Sequence, residues 1–308
     1  MKKRMKPGCI LRATALLGLA AALGACVGRR ESEIGTPQEP LVVLLSPSHA
    51  PAGSQEPLRL LERELGALSN MSVVVRVASS PVDAIEQFGR RAADAGILTL
   101  EEFLLAREEY DVREGLQVLR GEGKTEYDGV ILVKAKDPAH DAQALKGKKF
   151  AFVDPYSVSG FILPAQYLQK AGVRVQAEFA GSHDKALHAL LKGDVDAVAT
   201  YADVAVGRRD VKVLARTGTV PNEPLIFRYG LKSAKREALS AAFKGLAGSV
   251  DGKKALFSVA HITGFGPVHD DAFRSVHYLL LSAGRSVYGI VPGGAEIRRL
   301  NQPYIDVR

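Results

Sequence analysis

Short apolar runs alternate with amphipathic stretches along most of this chain. Residues 41–45, 71–77, 95–98, 118–120, 129–133, 150–153, 173–179, 197–200, 211–216 and 224–229 read as strands, many of them rich in Val. Between them lie segments with helical spacing. Leu58, Leu61, Leu65 and Leu68 mark one face of 56–68, and Val82, Ile85 and Phe88 mark one face of 81–92. Helices are also expected at 100–107, 142–145, 160–171, 183–192, 233–246, 253–257 and 270–283, with Gly172 and Gly193 placed to end two of them. Repeated strand–helix–strand units imply mostly parallel sheets with helices on both faces, an α/β fold. The extended segments near 128–133 and 223–229 are placed to cross between two lobes. That division assigns 41–127 and 225–308 to lobe 1 and 128–224 to lobe 2. No internal repeat is visible.

The first 25 residues stand apart from this pattern. Lys2, Lys3, Arg4, Lys6 and Arg12 precede an apolar run over 13–23, which is the layout of a secretory signal. It ends in Leu23-Gly24-Ala25-Cys26, which resembles a lipobox. The expected mature chain therefore starts at a lipidated Cys26, with 26–40 as a polar tether containing Gly35, Pro37 and Pro40. An ordinary cleavage near Ala25, and a packed arm instead of a tether, are the alternatives. Val27 replaces the Asp that by analogy retains such proteins in an inner membrane, so the membrane of destination stays open.

The signal changes the charge picture. The whole chain has net charge +7, but five basic and no acidic residues precede Cys26, leaving a charge near +2. A nucleic-acid partner thus gains no support from charge, and the absence of Trp removes one stacking platform. Of the two cysteines, Cys9 falls in the signal and Cys26 at the lipid site, so no disulfide is expected. No later apolar run is long enough to span a membrane. The histidines other than His183, from His49 and His140 to His277, form no close metal-ligand pairs, and no metal or cofactor is expected.

The segment 150–160, Phe-Ala-Phe-Val-Asp-Pro-Tyr-Ser-Val-Ser-Gly, carries the clearest chemistry. An apolar strand stops at Asp154-Pro155, and Ser157, Ser159 and Gly160 open a helix. A helix start offers free backbone N–H groups and the positive end of the helix dipole, which together suit an anion. Ser157 and Ser159 are equally good helix-capping residues. Tyr156-Ser-Val-Ser-Gly160 lacks the first Gly of a nucleophile elbow, and no base-and-orienter set accompanies the serines. An enzyme is therefore not expected.

Five segments together resemble the substrate-binding proteins of phosphate/phosphite/phosphonate ABC importers. They are Phe152-Val-Asp-Pro-Tyr-Ser-Val-Ser-Gly-Phe161, Ala180-Gly-Ser-His-Asp-Lys-Ala-Leu187, Gly193-Asp-Val-Asp-Ala-Val198, Ala93-Asp-Ala-Gly96 and Val220-Pro-Asn-Glu-Pro224. The resemblance implies a two-lobed periplasmic-binding-protein fold of type II, in which two hinge strands join mixed, mainly parallel sheets. It also implies an extracytoplasmic, membrane-anchored lipoprotein that closes on a small oxyanion and delivers it to a permease, and a monomer. Ser157 and Ser159 would hold the oxyanion with the N–H groups of Val158, Ser159 and Gly160. His183 would add a donor able to sense ligand charge. Tyr127 would face the cleft, and Asp203 stands where relatives place an acid for an amine. Ser79 and Ser80, before Pro81, offer a second donor nest from lobe 1. There the chain departs from the family pattern: Leu98-Thr99-Leu100-Glu101-Glu102-Phe103 keeps a hydroxyl on Thr99 but reads as a more apolar wall. A sensor working with a membrane histidine kinase, and a carrier of more apolar cargo, are the alternative functions.

Overall fold

Leu41–Leu45 (β1) is buried along its whole length, as a strand covered on both faces must be. The computed structural model describes residues 29–49, 55–269 and 271–299. The expected signal segment 1–25, Cys26 and Val27 lie outside them. The strands after β1 are Val73–Val77 (β2), Ala95–Ile97 (β3), Arg113–Arg120 (β4), Glu126–Lys134 (β5), Lys149–Phe152 (β6), Gln176–Phe179 (β7), Ala197–Tyr201 (β8), Val211–Pro221 (β9), Pro224–Phe227 (β10) and Ile262–Gly266 (β11). The α-helices are Gln55–Ser69 (α1), Pro81–Gly89 (α2), Leu100–Tyr110 (α3), Leu163–Lys170 (α4), His183–Lys192 (α5), Ser233–Leu246 (α6), Val250–Ala260 (α7), Arg274–Ser282 (α8) and Gly294–Arg299 (α9).

Two sheets result, ordered β11-β4-β10-β3-β1-β2 and β7-β6-β8-β5-β9. In the first, β10 and β11 run against the other four strands. In the second, β5 alone runs against its neighbours. Both sheets are thus mixed, with most strands pointing one way, and each places one reversed strand beside the third strand of a parallel triplet. The chain enters the second sheet between Arg120 and Glu126 and returns between Pro221 and Pro224.

Strand alternation divides the core. On β1, Leu41, Val43 and Leu45 meet α1, α6 and α7 through Leu61, Leu65, Phe243 and Leu256, while Leu44 turns to Ile85, Phe88 and Phe103. On β5, Ile131 and Val133 share a cluster with Phe150 and Leu168, and Val130 and Leu132 share one with Ala186 and Leu190. Val158, Ile162 and Leu163 leave the second sheet's own clusters and pack with Phe103 and Leu44, so apolar contact ties the start of α4 to the first sheet. Helix ends follow local chemistry. Ser182 caps α5 by accepting from the Lys185 amide, and Gly193 ends it at φ 91°.

Several expectations are corrected. The polar segment 29–40 is a packed arm, not a tether. Ile34 is 4% exposed within the first core, Arg29 pairs with buried Asp94, and Glu31 pairs with Arg228. A single apolar side chain among polar ones left no period to read, yet its ion pairs reach residues far along the chain. The helix expected at 160–171 opens as a π-helix, Val158–Ile162, before α4. The helix expected at 270–283 is described from Arg274. β11 and α9 had no expectation, since Thr and Gly dilute the first and the second has six residues.

Candidate functional site

The sequence Thr99-Leu-Glu-Glu102 folds as a reciprocal cap at the start of α3. Thr99 Oγ1 accepts from the Glu102 amide at 3.2 Å, and Glu102 Oε2 accepts from the Thr99 amide at 3.0 Å. Glu102 Oε1 also accepts from Ser46 Oγ at 3.0 Å. Burial nevertheless raises its carboxyl to about 7. This cap fixes the first turn of α3 against the second sheet, with Glu101 turned toward the helix start at Ser157.

At that helix start the backbone is largely committed. Asp154 Oδ1 accepts from the amides of Tyr156 and Ser157, each at 2.8 Å, closing the turn that stops β6. Ser157 Oγ accepts from the Gly160 amide at 2.9 Å. The Gly160 N–H is therefore an internal cap donor, which corrects its expected place in an oxyanion hole. Its lack of a side chain serves packing, since a Cβ there would meet Val153 Cβ at 2.5 Å. The Val158 amide donates to Glu101 Oε1 at 3.3 Å. Burial, with Asp154 and Glu223 nearby, raises the Glu101 carboxyl above its ordinary value, although its own amide and that of Val158 oppose the shift.

These groups open onto a cavity of about 690 Å³ between the sheets. Thr99, Tyr127, Ser157, Ser159, His183 and Asp203 all line it, so six of the eight residues selected from the sequence share one space. Val158 and Gly160 sit behind it, 1% exposed in the first case and buried in the second. Tyr127, on β5, is hydrogen-bonded to Ser159, and burial pushes its hydroxyl far above the ordinary range. His183, the first residue of α5, has Nδ1 2.9 Å from Thr200 Oγ1 and its ring 4.8 Å from that of Tyr201. Burial lowers the imidazole's pKa against the pull of Asp154 and Asp184, which favours the neutral ring. Asp203 lies at the exposed mouth in a short 3₁₀ turn.

The first-lobe wall differs from its expectation. Phe103 and Leu98 are fully buried, and Phe103 packs on Phe273 with centroids 4.9 Å apart. Neither faces the cleft, so an apolar wall at these two positions is overturned. The second donor nest is also absent: Ser80 caps α2 through the Asp83 amide, and Ser79 donates through N and Oγ to Asp83 Oδ2.

What the sequence did not single out is the acidity of the cavity and the clasp at its floor. Six carboxylates line it, Glu101, Glu102, Glu126, Asp154, Asp203 and Glu223, against Arg120 and Lys124. Arg120 is already committed, as its Nη1 donates to Glu223 Oε2 at 2.9 Å. His49 Nε2 lies 3.4 Å from Glu223 Oε1, and its Nδ1 lies 3.1 Å from the Ile97 carbonyl. Asn222 Nδ2 donates to the carbonyls of Val118 and Lys124 at 3.0 and 2.9 Å, joining both crossing segments. Pro221-Asn222-Glu223 was legible as a return to the hinge; its pairing with Arg120 is long-range and left no local signal. Among the described residues no cluster of His, Cys, Asp or Glu is arranged to hold a metal ion, and no helix is long and apolar enough to cross a membrane.

The family model described as the periplasmic substrate-binding protein of phosphonate ABC transporters matches residues 44–273. The chain belongs to that family. Its members are solute-binding proteins that serve transport outside the cytoplasm, not enzymes, and they work with a ligand and a permease. Solved structures agree on the fold of this phosphonate-type binding protein. PhnD1 from Prochlorococcus marinus, in complex with methylphosphonate, is similar with a TM-score of 0.64 and 17% identity, over 80% of this chain and 98% of its own. A Xanthomonas citri protein bound to ATP is similar with a TM-score of 0.61 and 20% identity, over 84% and 98%. The binding component of a phosphonate ABC transporter from Pseudomonas aeruginosa has a TM-score of 0.61 and 17% identity, over 85% and 95%. The mixed two-sheet architecture is thus that of type II periplasmic binding proteins.

Proposed function

We propose that this binding protein captures a small phosphonate-type oxyanion in the cleft between its sheets and presents it to the permease of an ABC importer. The observation that carries this reading is the convergence of Thr99 from α3 with Ser157, Ser159, Tyr127 and His183 on one cavity at a helix start. Hydroxyls and a neutral imidazole supply donors there, and the helix dipole favours negative charge. A hydrogen bond to a charged acceptor contributes about 1.5–3 kcal/mol, so three or four such donors suffice for micromolar capture after entropic costs. The methylphosphonate held by the Prochlorococcus relative supports the same class of ligand. On this reading, lobe 1 is 41–127 with 225–308, lobe 2 is 128–224, and the lobes close about the two crossings. A lipid on Cys26 holds the protein at the membrane face.

Calorimetric titration with methylphosphonate, phosphite and phosphate tests the proposal. Ser159→Ala is expected to weaken oxyanion binding by about tenfold or more, the loss of one charge-assisted hydrogen bond, with a fold intact by circular dichroism. Undiminished binding by that variant puts the ligand elsewhere. Scattering that shows no compaction on ligand addition removes closure from the mechanism.

A further inference from the structure

One backbone donor open to an oxyanion at this helix start is held by a carboxylate of the protein itself. Glu101 reaches across from α3, and its Oε1 accepts from the Val158 amide at 3.3 Å. Asp154 takes the two amides before it and Ser157 Oγ the one at Gly160, so the Val158 amide is a backbone donor for which an incoming anion and a side chain of lobe 1 compete. Two negative oxygens cannot share it without strong repulsion, and a proton between them turns repulsion into a hydrogen bond.

We propose that Glu101 makes capture proton-linked and selective: the cleft admits an oxyanion only together with a proton shared between Glu101 and a ligand oxygen. The inference rests on the oxyanion reading and names its selectivity. Oxyanions that carry a proton near neutral pH, such as phosphonates and phosphate, can bring it with them; sulfate carries none and depends wholly on a proton taken up by Glu101 from solvent, so its capture is confined to lower pH.

The surroundings of Glu101 favour this. Its neighbour Glu102 on α3, Asp154 on the turn after β6 and Glu223 on the return crossing all oppose its negative charge. Tyr127 on β5 is held neutral beside it. Arg120 faces Glu223 and is ion-paired there, and burial disfavours the charged forms of His49 and His183 on the flanking walls. Among the described residues no lysine or arginine forms an ion pair with Glu101. A proton is therefore the available means of neutralising it when an anion arrives. No covalent step is involved; the proton comes with the ligand or from solvent on binding and leaves on release.

The test compares wild type with Glu101→Gln, which keeps an acceptor for the Val158 amide and adds a donor for the ligand. Methylphosphonate affinity is measured by calorimetry from about pH 5.5 to 8.5, in buffers of different ionisation enthalpy. The ligand and His183 contribute equally to both proteins, so the difference in slope reports Glu101. The wild type is expected to lose affinity relative to the variant as pH rises, toward about tenfold per pH unit, the limit for one linked proton. The variant is expected to take up about one proton fewer and to bind sulfate with little pH dependence, whereas sulfate binding by the wild type is expected to fade as pH rises. Glu101→Ala, with folding checked by circular dichroism, is expected to show the same loss of slope if the Gln variant does not fold. Equal slopes in the two proteins, or weaker binding by the variant at every pH, overturn the role of Glu101 while leaving the oxyanion site in place. Failure of both proteins to bind any oxyanion at any pH overturns the site reading, and this inference with it.

Discussion

Arg120 and Glu223 form a forked ion pair, the first ending the strand that leaves for the second sheet and the second opening the segment that returns. The pair therefore ties the two crossings at the floor of the cavity, where His49 also approaches Glu223. Burial alone would raise the Glu223 carboxyl, but Arg120 and His49 hold it below its ordinary value.

Glu223→Gln leaves the Arg120 guanidinium uncompensated. Breaking a fully buried pair costs ~3–5 kcal/mol; Arg120 keeps about a quarter of its side-chain surface in water, so a loss of about 2–3 kcal/mol is expected. Urea unfolding near neutral pH measures it. Because the Glu223 pKa is depressed, its contribution is full above the unfolded value of 4.5 and fades as pH falls through the lower folded one. The gap between wild type and variant should therefore close in acid.

Glu102 has the opposite sign. Its folded carboxyl is raised to about 7 from 4.5, so the stability it contributes is full below 4.5 and is lost as pH rises through about 7. Glu102→Gln preserves an acceptor for the Thr99 amide and has no charge to desolvate. Melting curves are expected to favour the variant by about 3 kcal/mol at about pH 8.5, with the advantage vanishing below about pH 4.5. A pH-independent difference would mean that burial of this carboxylate costs nothing.

Asn222→Ala removes the side chain that donates to both Val118 and Lys124, leaving two carbonyls of the crossing segments without that partner. A loss of about 1–3 kcal/mol is expected. Hydrogen exchange should quicken at 118–125 and 221–224 and remain unchanged in α5 if the amide acts locally as a clip.

Gly160→Ala forces a methyl group toward the Val153 side chain at 2.5 Å. Overpacking of that kind costs about 1–3 kcal/mol. The variant also tests the corrected role of Gly160: its amide is a cap donor, so oxyanion affinity should fall far less than in Ser159→Ala.

Much of this was written locally. β1, α1 and α5 announced themselves by apolar period, and Gly193 ended α5 as its type requires. The grouping of Ser157, Ser159, His183 and Tyr127 was legible because each belongs to a short motif with a fixed place in its own strand–helix unit. Glu101 was not, since a carboxylate in the first turn of a helix is ordinary dipole chemistry; its reach to Val158 depends on how α3 meets the other sheet. The pairing of Arg120 with Glu223 and the docking of 29–40 failed to register for the same reason: each joins residues about a hundred or more positions apart, or hides one apolar contact in a polar run. Phe103 misled because an aromatic near a cleft and an aromatic in a core look alike in sequence.

The docking of the arm has a mechanical consequence. Arg29 is fastened to Asp94, and Glu31 to Arg228, so the folded body begins almost at once after Cys26. With the proposed lipid on that cysteine, two residues, or three chain steps of at most about 11 Å fully extended, would separate the anchor from Arg29. Under the proposed lipid anchor, so short a link would keep the folded body close to the bilayer, and the search for the permease would run in two dimensions instead of three.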